Sequence, residues 1–298
     1  MINALVEYLK NKKILILGFG IEGYSTYLFI RKYLKKQKIY ISDVKPETIK
    51  KYKDVLQDTN IEILDKEKYL KELEDYDIIM KSFANIDTTK FINKIKSQLE
   101  LFLEFINVFT IGITGTKGKT TTTYMMKEML QKQGYKTGLI GTIAIYSGDK
   151  KLEDSDRTTP ESLDLQRIFA QMVEEKVEYV VMEVSSQALK LQRVAGCNFD
   201  VGVFTNFSKE HISQKEHSDM EDYFNSKMKL FSMCQMGFVN IDDFRGARVK
   251  REAKCQIKTY GIDNACDLLA KDITITNIGV DFKAKLDGKN ERIKVDIP

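Results

Sequence analysis

The chain has no tryptophan, only three prolines, two histidines and four cysteines among its 298 residues. Cys197, Cys234, Cys255 and Cys266 are too widely spaced for paired zinc ligands and too few for a disulfide framework, so they read as reduced structural thiols. No apolar run approaches the roughly 20 residues that span a bilayer, and the N-terminal segment lacks the apolar core of a signal peptide. A cytoplasmic protein with no membrane partner is expected. Excess charge of one sign is also missing: 47 Lys and Arg against 43 Asp and Glu leave a formal net charge of +4. The lysines are dispersed rather than gathered in a basic patch, which argues against a nucleic-acid partner. No internal repeat or low-complexity linker is evident.

What is present is ordinary for a globular protein: 43% hydrophobic and 30% charged residues, in a length that suits about two domains. Short apolar runs alternate with lysine- and glutamate-rich helical stretches, the pattern of α/β architecture. A first unit is expected over 1–107, with strands near Lys13–Leu17, Ile39–Ser42, Ile61–Leu64 and Asp77–Met80. A second unit, 108–298, begins at the apolar run Val108–Ile113.

That run leads into Gly112-Ile-Thr-Gly-Thr-Lys-Gly-Lys-Thr-Thr-Thr122 and then an amphipathic stretch, Thr120–Gln133. Strand, glycine-rich turn and helix make a phosphate cradle. The glycines let backbone N–H groups close on a polyphosphate, Lys119 brings charge to the β/γ oxygens, and Thr120 offers a hydroxyl to Mg²⁺ at the positive end of the helix dipole. The strict Walker spacing would put glycine at 113, where this chain has Ile113 and carries Gly112 one residue earlier. ATP or GTP is the expected ligand.

Downstream, Val177–Met182 reads as a strand delivering Glu183, and Phe199–Phe204 as another delivering Thr205 and Asn206. Ligands collect at the carboxyl ends of parallel strands, so Glu183 and the Asn206–His211 segment are expected to face the phosphates, with Glu183 able to ligate Mg²⁺. His211 follows a strand in a loop, which favours a ligand role; His217 reads as an exposed loop histidine. Lys227 falls on the stripe Met220, Phe224, Lys227, Phe231 and so points inward. Either its stem snorkels past these neighbours, or it is desolvated with a depressed pKa, leaving a neutral amine able to take up CO₂ as a carbamate.

A second glycine turn, Gly18-Phe-Gly20-Ile-Glu-Gly23, follows the first apolar run, and Asp43 stands about 20 residues beyond it, where an acidic side chain can accept from a ribose or a base. Alone the turn suggests a dinucleotide, but the same geometry serves a nucleotide-sugar diphosphate.

These segments resemble the Mur ligases, ATP-dependent amide-forming enzymes of peptidoglycan precursor synthesis. The resemblance rests on residues 112–122, Thr158-Thr-Pro-Glu-Ser-Leu-Asp-Leu-Gln166, Met182-Glu-Val-Ser-Ser-Gln-Ala-Leu189, Phe204-Thr-Asn-Phe-Ser-Lys-Glu-His211 and Met220–Phe231. The central region looks most like the MurE type, which adds the third amino acid to UDP-MurNAc-L-Ala-D-Glu. The glycine turn and Asp43 of the first unit look like the MurD type, which adds D-glutamate.

The resemblance implies a Rossmann-like UDP-binding unit followed by an ATP-binding central domain with a mostly parallel sheet. It places the ATP phosphates on Gly115, Thr116, Lys117, Gly118, Lys119, Thr120 and Thr121, with Asn206 beside them. Thr120 and Glu183 would hold one Mg²⁺, and His211 with a carbamylated Lys227 a second. Thr158, Thr159, Ser185 and Arg193 would contact the UDP-MurNAc-peptide, whose UDP group would lie on Gly18, Gly20, Gly23 and Asp43. A free amino acid is the other substrate, and a monomer is expected. Gln187, Leu191 and Lys117 depart from residues common in the family, and Ser82-Phe-Ala84 replaces the MurD-type Ser-Pro-Gly. Val295–Pro298 resembles the lead-in to a helix and a C-terminal domain that the sequence does not include, so an incomplete ligase with poor turnover on its own is expected. A D-glutamate-adding enzyme and a non-catalytic nucleotide-binding module remain alternatives.

Overall fold

The computed structural model describes residues 2–65, 73–81, 93–105, 108–210, 212–213, 216–286 and 289–296. It divides into two compact units, Met1–Asn107 and Val108–Pro298. Among the described residues no helix is long and apolar enough to cross a membrane.

The first unit is built on β1 (Ile14–Leu17), β2 (Ile39–Ser42), β3 (Ile61–Ile63), β4 (Ile78–Lys81) and β5 (Ile95–Lys96), ordered β3-β2-β1-β4-β5. Every described pairing is parallel. All four β1 residues are buried, as expected of a parallel strand covered on both faces. Chain order reverses beside β1, so the crevice at its carboxyl end is the topological switch point, and the glycine turn occupies it. Gly18 has φ +91°, and a Cβ on Gly23 would stand 2.2 Å from the Gly18 carbonyl oxygen. These two glycines let the helix Ile21–Tyr33 pack tightly on the turn, while Gly20 caps the helix. The core gathers Leu9, Ile16, Phe19, Ile30 and Ile41.

The second unit contains β6 (Phe109–Thr114), β7 (Thr137–Ile140), β8 (Ala144–Ser147), β9 (Lys150–Asp154), β10 (Tyr179–Glu183), β11 (Phe199–Phe204), β12 (Cys234–Asn240), β13 (Gln256–Gly261), β14 (Leu268–Thr276), β15 (Gly279–Leu286) and β16 (Lys289–Asp296). They form one sheet, ordered β16-β15-β14-β13-β12-β11-β6-β10-β7-β8-β9. The run from β14 to β7 is parallel, whereas β8, β9, β15 and β16 pair antiparallel at the two flanks. The helix Lys119–Lys132 connects β6 to β7, and Ser162–Glu174 connects β9 to β10.

Register positions the site. Glu183 pairs with Ile113 on one side of β6, and Phe204 with Thr114 on the other. The ends of three neighbouring strands therefore converge around the loop that follows β6.

Candidate active site

The loop 115–118 owes its shape to glycine. Gly118 has φ +80° and caps the helix Lys119–Lys132, whose first turn carries no acidic residue. That helix end is left free to attract an anion. Gly115 has φ +152°, and a Cβ there would meet Thr205 Oγ1 at 1.9 Å, because the segment after β11 lies against the loop. Asn206 ties the two together: its Oδ1 accepts from Lys117 N at 2.9 Å and its Nδ2 donates to Lys117 O at 3.0 Å. Asp243 anchors the segment from beneath by accepting from Phe207 N at 2.7 Å.

Two lysines meet at one carbonyl. Lys119 Nζ donates to Gly115 O at 3.0 Å and to Thr116 O at 3.2 Å, folded back on its own loop. Lys227, only 2% exposed, donates to the same Gly115 O at 2.7 Å, and its Nζ lies 4.5 Å from the Tyr223 ring centroid. The helix Met220–Met228 aims it there, held at its start by the Asp219 side chain. Burial pulls the Lys227 ammonium well below its ordinary pKa and the neighbouring Lys119 charge lowers it further, against a weaker pull from Glu210. Burial lowers Lys119 too, opposed by Glu183 and Glu210. Lys227 is thus buried and desolvated rather than snorkelling.

Glu183, 1% exposed, accepts from Thr120 Oγ1 at 2.9 Å. A hydroxyl and a carboxylate this close at a helix N-terminus form a hard-oxygen pair suited to Mg²⁺, which takes few protein ligands and leaves the rest to phosphate and water. Among the described residues no three His, Cys, Asp or Glu side chains are grouped so as to hold a metal ion, and His211 lies outside the described residues. So do Ser82, Phe83 and Ala84.

Beside the loop opens a cleft of about 240 Å³ whose wall includes Lys119, Thr158, Ser185, Arg193, His217 and Lys227. Its cationic lining suits a ligand bearing carboxylates or phosphates. Thr159 is fully buried; its hydroxyl donates to Glu183 O at 2.9 Å and accepts from Ser185 N at 3.0 Å, so it braces the cleft wall with its polar atom turned inward. Ser185 caps the helix Ser186–Lys190, its Oγ accepting from Ala188 N at 3.1 Å. Gln192 then turns left-handed at φ +59°, and Arg193 N reaches Ala188 O at 2.9 Å. This closure swings the Arg193 side chain into the cleft, with Nε 3.1 Å from Glu161 Oε1.

Of the expected first-unit residues, Gly18, Gly20 and Gly23 form the turn. Asp43 is engaged locally, with Oδ2 accepting from Phe19 N at 2.6 Å and Oδ1 from Lys45 N at 2.7 Å; it shapes the turn from below.

His217 corrects the sequence reading: it is not an exposed loop histidine but is 1% exposed, packed on Tyr223 with Nε2 2.9 Å from Ser186 Oγ. Burial lowers its pKa, partly offset by Asp222, which Lys190 holds down to about 2. Thr142 was also missed. It donates to Glu183 through both its N–H and its hydroxyl, and its position just after β7 is the signal that marks it, since polar residues at parallel strand ends gather at ligands.

Fold and loop define an α/β phosphate-loop protein with a cationic cleft at the carboxyl ends of its central strands. Residues 113–298 match the family described as Mur ligase middle domain, and the chain belongs to the Mur ligase family. It is 50% identical over 188 residues to the UDP-N-acetylmuramoyl-L-alanyl-D-glutamate--2,6-diaminopimelate ligase 1 of Clostridium acetobutylicum, covering 63% of this chain and 38% of that protein. A ligase of the corresponding name from Clostridium tetani is 36% identical over 283 residues, covering 94% of this chain and 52% of that protein. That alignment takes in the first unit as well. Among solved structures, a ligase with the same substrate name superposes with a TM-score of 0.61 at 18% identity, over 95% of this chain and 53% of that one. MurF from Acinetobacter baumannii gives 0.50 at 16% identity, over 88% and 53%. These two likenesses concern the fold. The chain spans between 38% and 52% of the length of the two Clostridium relatives.

Proposed function

We propose that the chain serves as the nucleotide- and acceptor-binding part of an ATP-dependent amide ligase of peptidoglycan precursor synthesis, acting on UDP-MurNAc-L-Ala-D-Glu in the cytoplasm. The observation that carries this is the meeting of Lys119, Lys227, Thr120 and Glu183 around the glycine loop, beside a cationic cleft. The names of the Clostridium relatives supply the acceptor.

In this reading the ATP phosphates lie on residues 115–121, and Lys119 leaves the carbonyls of Gly115 and Thr116 to meet the β/γ oxygens. Thr120 and Glu183 would hold Mg²⁺, which supplies charge neutralisation on the phosphates. Arg193 and Ser185 orient the acceptor so that its terminal carboxylate meets the γ-phosphorus, giving an acyl phosphate and ADP. The amine of the incoming amino acid then displaces phosphate to form the amide. Lys227, whose buried ammonium gives up its proton more readily than usual, would as the free amine add CO₂ with release of one proton to give a carbamate, whose remaining N–H can keep the bond to Gly115 O. With His211 it would hold a second Mg²⁺. Gly18, Gly20 and Gly23 present the UDP site, and Asp43 holds the turn in shape. The chain acts as a monomer.

The test is calorimetric titration, with Mg²⁺ and a non-hydrolysable ATP analogue present, against UDP-MurNAc-L-Ala-D-Glu and separately UDP-MurNAc-L-Ala. Preference for the dipeptide form is expected. Preference for the monopeptide form would give the acceptor site to D-glutamate addition, which the first-unit glycine turn favours, and binding of the nucleotide alone would leave a nucleotide-binding module.

A further inference from the structure

β7 ends at Ile140, and the next two residues lie against Glu183. A Cβ on Gly141 would stand 2.6 Å from Glu183 Oε1, so the backbone approaches the carboxylate as closely as a glycine permits. Thr142 then meets both carboxylate oxygens, its N–H donating to Oε1 at 2.8 Å and its hydroxyl to Oε2 at 3.0 Å. The same hydroxyl oxygen lies 3.1 Å from Thr158 Oγ1. A hydroxyl has one proton to give. The Thr142 hydroxyl is placed to donate either to Glu183 Oε2 or to Thr158 Oγ1. This hydroxyl therefore stands between the cleft wall at Thr158 and the carboxylate beside Thr120.

We propose that Thr142 is a positioning residue that joins the two halves of the site. It fixes both oxygens of Glu183 on the metal–nucleotide side, and its hydroxyl, within hydrogen-bond reach of Thr158, ties the cleft wall to that carboxylate. This role rests on the proposed function above.

Thr142 is itself exposed, so valine in its place leaves no buried gap, and serine keeps the hydroxyl. Thr142→Val and Thr142→Ser are titrated beside the parent chain with a non-hydrolysable ATP analogue in Mg²⁺, with the same analogue in EDTA, and with UDP-MurNAc-L-Ala-D-Glu. Loss of one hydrogen bond to a charged group is expected to weaken Mg²⁺-dependent nucleotide binding in T142V about fivefold and to weaken acceptor binding, with affinity in EDTA unchanged and T142S restoring both. A T142V chain that binds like the parent overturns the proposal, as does a T142S chain as weak as T142V, or a loss equally large in EDTA. A parent chain that binds no nucleotide in Mg²⁺ overturns the functional reading itself and this role with it, whereas parent binding combined with an indifferent T142V overturns this role alone.

Discussion

Lys227, which the proposed function places in the site, shows how a single residue can be costly to the fold. Its ordinary pKa of 10.5 is pulled well down by burial, so between its folded-state value and 10.5 the unfolded chain binds a proton that the folded chain does not. Stability therefore rises with pH across that window and falls as pH drops through it, by up to ~1.4 kcal/mol per pH unit. Lys227→Met removes both the proton and the slope. The variant should unfold at a higher temperature than the parent near neutral pH, with the gap closing as pH approaches 10.5; parallel pH dependences in the two proteins would mean that Lys227 folds charged. The variant should also gain no mass corresponding to CO₂ in bicarbonate, where the parent does. The inward aim of this lysine was legible, because an apolar stripe at helical spacing fixes which face a residue lies on. Thr142 and His217 were not. Each acts through partners remote in sequence, Glu183 and Thr158 for one, Ser186 and Tyr223 for the other, and no local pattern records such meetings.

At the level of elements, strands buried on both faces were read almost to the residue: Ile39–Ser42 and Phe199–Phe204 coincide with β2 and β11. Their near-continuous apolar runs are the signature of parallel strands inside a sheet. The hairpin of β8 and β9 and the meander of β14, β15 and β16 left no comparable trace. β9 is Lys-Lys-Leu-Glu-Asp and most of β14 is exposed or half-exposed, so neither presents the apolar alternation by which a strand is recognised. Helix ends were shifted by a residue, as at Lys119–Lys132, expected over Thr120–Gln133. The connection after Ser186–Lys190 offers a test. Its left-handed residue, Gln192, carries a Cβ where glycine would be unstrained. Gln192→Gly should raise stability by about 0.5–1 kcal/mol in denaturant unfolding and leave Arg193 in the cleft; a destabilised variant would mean that the Gln192 side chain makes compensating contacts.

For the whole molecule, the two units have separate cores: one gathers around Ile16, Phe19 and Ile41, the other around Ile111, Ile113, Val181 and Val203. The phosphate loop, Glu183, Lys227 and the cleft all belong to 108–298. Residues 108–298 expressed alone should therefore fold and bind the Mg²⁺–nucleotide analogue with the affinity of the whole chain, while affinity for the UDP-linked acceptor falls. Undiminished acceptor binding would take the UDP group away from the first unit. The α/β character of both units was legible because each carries an apolar strand that runs into a glycine turn. The breadth of the second sheet was not, since its two edge strands, β9 and β16, are largely exposed and charged.

Gly115 and Gly141 carry the least chemistry of any residues around the site, and a library of random variants should find them the most intolerant. At 115 a methyl group would overlap Thr205, and at 141 it would press on Glu183. Even alanine, the smallest step, obliges Thr205 or Glu183 to shift. Mutational drift can alter the cleft wall around such points more readily than it can pass through them, so lineages sharing this fold should diversify in what the site accepts long before they change how it holds phosphate.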